Sequence, residues 1–210
     1  MALIMAYSDF TLAKVREAFN LTFEENRDLF ADIAAIPPSD RLKLTLEENI
    51  PLAIAINSEK ARSEFLIAPI LSEVRRQLNY EISLFSGVDF TVEPSQDLNG
   101  FCDFILSQNR EQYYISAPVM AVIEAKNENI IAGLGQCIAV MLAAQIFNQR
   151  SGNEINQIYG VVTTGTTWKF LTLKGNVAFI DAIEYYIKEI DKILGILLDP
   201  FQPSLAIANI

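Results

Sequence analysis

The chain has 210 residues, 51% of them apolar and 20% charged, with 16 Lys and Arg against 26 Asp and Glu for a net charge of −10. This balance describes one sizeable globular core, excludes a disordered or fibrous chain, and argues against a broad non-specific coat on nucleic acid. The sequence contains no histidine, which excludes Ser/His and Cys/His nucleophile pairs, histidine-held zinc and HNH-type chemistry. Any metal must therefore be oxygen-bound, which means magnesium, manganese or calcium.

The opening MALIMAYSDF lacks a basic n-region and a cleavage pattern, so no signal peptide is expected. Residues 1–57 read as an N-terminal helical extension. TLAKVREAFNL has helical spacing, and Thr22-Phe23-Glu24-Glu25 has the form of a capping box opening a second short helix. Ile36-Pro37-Pro38-Ser39-Asp40 breaks the pattern, and a mixed segment follows to Asn57.

The second region, 58–210, has a clearer order. SEKARSEFLIAPILSEVRRQL is an amphipathic helix in which Pro69 marks a bend or a late start. Three extended stretches follow: YEISLFSGVDFTVEP, then FCDFILSQ after the turn Asp97-Leu98-Asn99-Gly100, then PVMAVIEAK. From Asn129 to Gln149 no residue is charged, a length that could span a bilayer. Its Gln136, Gln145, Asn148 and Gln149, and the lack of basic flanks, favour a helix buried against a sheet, with no membrane contact. IYGVVTTGTTWKFLTL reads as strands around a Gly165 turn, with Trp168 in the core, and VAFI as a short strand. DAIEYYIKEIDKILGILL reads as a closing amphipathic helix ended by Asp199-Pro200. The expected fold is therefore α/β (α+β), a central mixed sheet flanked by helices. Cys102 and Cys137 each lie in an apolar run without CxxC spacing, as buried free thiols in a reducing cytoplasm would.

VMAVIEAKNE is a strand-like apolar run interrupted by Glu124 and Lys126, an i, i+2 pair that shares one face of a strand. Burying unpaired charge costs several kcal/mol, so the two must satisfy each other or serve a ligand. The preceding strand carries a lone acid, Asp103, in its own apolar run. Two adjacent strands with inward acids suit a hard dication, with the backbone carbonyl of Ala125 as a third ligand. Each residue also has a structural reading: Glu124–Lys126 as a salt bridge on an edge strand, Asp103 as a turn cap or partner of Arg110, Gln136 as a backbone-bonded helix residue.

In these motifs the chain resembles the PD-(D/E)XK superfamily of restriction-endonuclease-like nucleases, over roughly residues 58–180. The resemblance rests on Asp103 after a turn, the E-x-K strand Glu124-Ala125-Lys126, the following helix with Gln136 in GLGQCIAVMLAA, and the order helix, three strands, helix, strand. The first motif reads Cys102-Asp103 where the family often has Pro-Asp. The resemblance implies Mg²⁺- or Mn²⁺-dependent hydrolysis of phosphodiester bonds in nucleic acid, with DNA the favoured substrate. Asp103 and Glu124 would hold the metal, Lys126 would orient or deprotonate the attacking water, and Gln136 would position water or phosphate. The family often adds an acid from the first helix, here Glu59, Glu64 or Glu73. At 100° per residue, Glu64 lies at the edge of the stripe Ile67, Leu71, Val74, Leu78 and is the expected site residue, whereas Glu73 faces solvent. Thr163, Thr164, Thr166, Thr167 and Lys169 are candidate backbone contacts. The resemblance also raises a homodimer, for which the last helix offers an apolar face. The alternatives are a non-enzymatic module that keeps the fold for partner binding, and a hydrolase of small phosphate substrates.

Overall fold

The computed structural model describes residues 6–202 of the chain. Its centre is a mixed sheet of β1 (Thr22–Glu24), β2 (Ser83–Asp89), β3 (Phe101–Ser107), β4 (Val119–Ala125), β5 (Ile158–Thr163), β6 (Thr167–Lys174), β7 (Val177–Ile180) and β8 (Tyr185–Tyr186). The strands run in the order β1-β7-β6-β5-β4-β3-β2, with β8 paired to β6. β2, β3 and β4 form an antiparallel meander, and β5 lies parallel to β4. That parallel step needs a crossover, which α5 (Ile130–Arg150) provides. The fold is thus the mixed α/β sheet with covering helices that the sequence patterning predicts.

Strand alternation builds two cores, one on each face. Val122 and Val162 point to α5 and, with Tyr7, Phe10 and Val15 from the N-terminal segment, form one core. Their neighbours Ile123 and Val161 point to the other face, against α2 (Asp40–Ile56), α4 (Ala68–Gln77) and α6 (Ile190–Leu198). α5 is apolar enough to cross a membrane, yet 67% of its most apolar stretch is buried within the fold. Apolar residues all round a helix reflect packing on several sides. Here these are the sheet, α1 (Leu12–Ala18) and the far end of the β2–β3 hairpin. Gly87, at φ +62°, breaks the regularity of β2, and beyond it the hairpin packs Phe90, Leu98 and Cys102 against α5.

Four local expectations are corrected. Thr22–Glu24 is not a helix start but strand β1, paired in parallel with β7. The segment expected to be mixed up to Asn57 is largely α2, begun by Ser39, whose Oγ accepts from Leu42 N at 3.2 Å, and ended by left-handed Asn57. The closing helix starts late: Tyr185–Tyr186 is a strand, and α6 begins only at Ile190. Its apolar residues Ile193, Leu194, Ile196 and Leu197 are buried in the chain's own core, so this helix presents little apolar face to a second copy. Finally, the helix around Pro69 does not start late. α3 (Glu59–Arg62) runs through a π turn, Ser63–Ile67, directly into α4. Pro69 has no N–H for the Phe65 carbonyl, and Asn49 Nδ2 donates to that carbonyl instead, at 3.0 Å.

Candidate active site at the end of strand β4

β4 lies between β3 and β5, with all seven residues buried, so Glu124 is on an interior strand and not on an edge. The register Phe104↔Ile123 brings the next residues, Asp103 and Glu124, to facing positions. Asp103 Oδ2 accepts from Ala125 N at 2.8 Å, and its carboxyl meets that of Glu124, which is only 4% exposed. Lys126 Nζ donates to Glu124 Oε1 at 2.6 Å and to Gln136 Oε1 at 3.3 Å. The Lys126 backbone N–H is fixed on the Thr163 carbonyl at 2.8 Å. Asp103, Glu124, Lys126 and Gln136 therefore converge, from two strands and the first turns of α5.

Close approach of α5 to the sheet makes this possible. A Cβ on Gly133 would lie 2.7 Å from Val162 Cγ1 and 3.0 Å from Lys126 Cε, so only glycine leaves Lys126 its path. Burial, and then the neighbouring Asp103, push the Glu124 carboxyl up to about 8, although Lys126 pulls the other way. Burial works against the Lys126 charge as well, but Glu124, followed by Glu59 and Asp103, holds the ammonium above its usual value.

Glu59 is thus the acid of the first helix whose field reaches Lys126. Glu64, the expected site residue and metal ligand, goes elsewhere: it is exposed, pairs with Lys60 at 2.8 Å, and lines a groove between α2 and α4. The π turn explains the error, because it inserts an extra residue into the helical repeat and shifts the phase assumed at 100° per residue. Glu73, expected to be solvated, is 4% exposed. It accepts from Ser39 N and Oγ, from Gln77 and from Arg76. Arg110 pairs with Glu81, not Asp103.

The threonines hold their own turn. Thr163 Oγ1 donates to the Thr167 carbonyl and accepts from Gly165 N, both at 2.8 Å, while Thr164 Oγ1 meets Thr166 Oγ1 and Thr167 N. Lys169 Nζ reaches the Ala182 carbonyl at 3.5 Å. Trp168 is fully buried, as expected, with Nε1 on the Gly165 carbonyl. Cys102 and Cys137 are buried free thiols beside Glu124, held protonated by burial.

Sequence reasoning missed Arg62. It is 9% exposed, and its guanidinium donates to Asn127 Oδ1, the Thr164 carbonyl, Thr166 Oγ1 and Asn57 Oδ1 at 3.0 to 3.3 Å. It ties the residue after Lys126 to the threonine turn and to the end of α2. Its burial is set by a turn 102 residues away, so no local pattern marks it. Arg62, Asn127, Glu128, Thr164, Thr166 and Glu184 are among the residues that line an open cleft of about 580 Å³, which begins at the residue after Lys126.

Among the described residues, no group of three or more acidic or cysteine side chains gathers as a metal cage. The donor set is two carboxylates, both oxygen-only and mutually repelling, one of them burdened by burial. That chemistry fits a hard dication, which would take the place of the proton that Glu124 otherwise retains. No family model, curated protein or solved structure matches this chain.

Proposed function

We propose that Asp103, Glu124 and Lys126 form the divalent-metal site of a PD-(D/E)XK-type nuclease that hydrolyses phosphodiester bonds, with DNA the favoured substrate and magnesium or manganese the metal. The observation that carries this reading is the meeting of two carboxylates from adjacent strands with a lysine that touches one of them, inside an otherwise apolar strand. Asp103 and Glu124 would hold the metal, with the Ala125 carbonyl completing the protein's share. When bound, the metal supplies an acidified water and a positive charge beside phosphate oxygens. Lys126, oriented by Gln136, would hold the attacking water and stabilise charge that develops on phosphate. Glu59 acts on Lys126 through its field. The free thiols suit a reducing, cytoplasmic setting.

A second reading has its own observation. The 2.6 Å Lys126–Glu124 contact partly neutralises the site without any cation, as it would in a module that keeps this fold for binding alone. Labelled single- and double-stranded DNA and RNA, incubated with Mg²⁺ or Mn²⁺, separate the two. The nuclease reading expects cutting that EDTA stops and that Asp103→Ala and Lys126→Ala each reduce at least about 100-fold. A folded wild-type protein that cuts none of these substrates leaves the binding module.

A further inference from the structure

On the other face of the sheet from Glu124, α2 and α4 enclose a groove of about 630 Å³, within the range of small-molecule sites. Leu42, Pro69 and Leu84 line it, together with three arginines. Arg76 is committed to Glu73. Arg41 makes no ion pair among the described residues, and Arg75 bonds through Nε to the Ile82 carbonyl and through its face to the Tyr80 ring, 5.1 Å away. Glu64 on the rim is held by Lys60. Two guanidinium charges are thus left without a carboxylate, in a chain of net charge −10. The hydroxyls of Thr45 and Ser72 also line the groove and make no hydrogen bond among the described residues.

Tyr80 adds an independent sign. Closure of α4 calls for a left-handed residue, which Asn79 supplies at φ +52°, with Tyr80 N bonded back to the Arg75 carbonyl. Tyr80 is left-handed as well, at φ +61°, a conformation that aromatic residues rarely adopt. The strain does not bury the ring. Tyr80 is 55% exposed at the groove, with Arg75 over its ring.

We propose that this groove binds a nucleotide, its base stacked on the exposed Tyr80 ring and its phosphate held by Arg41 and Arg75. A tyrosine face and guanidinium forks on one cavity match a flat ring joined to an anion better than either alone. The site is independent of the carboxylate pair. The nucleotide is either free or part of a nucleic-acid strand.

The test is calorimetric titration of the intact chain, in EDTA, with AMP, pyrophosphate and a five-nucleotide DNA strand. AMP binding is expected, weakened at least tenfold by Arg41→Ala and by Arg75→Ala and unchanged by Asp103→Ala. Tyr80→Ala is expected to weaken AMP but not pyrophosphate, with Tyr80→Phe restoring AMP as a control for folding. A strand that binds tighter than AMP assigns the groove to nucleic acid, whereas equal or weaker binding assigns it to free nucleotide. Absence of AMP binding at millimolar concentration overturns the proposal. So does AMP binding no tighter than pyrophosphate, or binding that Asp103→Ala abolishes and Arg41→Ala spares.

Discussion

At the scale of single residues, two glutamates illustrate how burial acts in opposite directions. Glu124 is raised to about 8 by burial and by Asp103. The unfolded chain ionises it near the usual carboxylate value, so between about pH 4.5 and 8 the unfolded state has fewer protons. The Glu124 contribution to stability is therefore complete below that window and lost as the pH climbs through it. Thermal melts in EDTA should show this decline for wild type and a flatter profile for Glu124→Gln. Glu73 behaves in the reverse sense. Burial opposes its charge, but Arg76, Gln77 and Ser39 outweigh it and bring the carboxyl to about 2. Its contribution is present above the ordinary carboxylate value and lost as pH falls towards 2. Urea unfolding of Glu73→Gln at pH 7 should show a loss of about 2 kcal/mol, as expected for a buried, charge-assisted network. Asp103, Glu124 and Lys126 were legible because charge inside an apolar run is anomalous in itself. Glu73 and Arg62 were not, because their partners, Ser39 and the Thr164–Thr166 turn, are remote in sequence.

Elements were legible where their pattern is local. β3, β4, α5 and β5 to β7 follow apolar runs and turn residues that need no knowledge of the rest of the chain. β1 was not, because three residues with a Thr and a Glu at capping spacing become a strand only through parallel pairing with β7. The helix through Pro69 has the extent its pattern predicts but, because of the π turn, not the phase, and Glu64 pairs with Lys60 instead. At the π turn one side-chain contact takes up the carbonyl that Pro69 leaves open. Asn49→Ala should leave the Phe65 carbonyl without its partner and cost about 1–2 kcal/mol in urea unfolding. At the other helix, Gly133→Ala drives a methyl into Val162 and Lys126. A loss of about 1–3 kcal/mol is expected, together with a larger fall in cleavage than the change in melting accounts for, because Lys126 is displaced.

For the whole molecule, the sheet separates two cores and two candidate ligand surfaces. The carboxylate pair lies on the α5 side, and the arginine groove lies under α2 and α4. The N-terminal segment takes part in both cores through Tyr7, Phe10 and Val15 on one side and Phe30, Leu42 and Leu46 on the other. Its close packing over α5 accounts for a helix apolar on all sides, the feature that made the sequence ambiguous about a membrane. A net charge of −10 disfavours approach to phosphate unless cations are bound. The proposed nuclease activity thus requires the carboxylate pair to take a dication. The direct measurement is Mn²⁺ titration by calorimetry at pH 6 and pH 8 on wild type, Asp103→Asn and Glu124→Gln. The expected result is one site in wild type, tighter at pH 8 because a proton must leave Glu124, and lost in both variants. Mn²⁺ binding equal in all three proteins, or none in the folded wild type at millimolar Mn²⁺, would contradict the account.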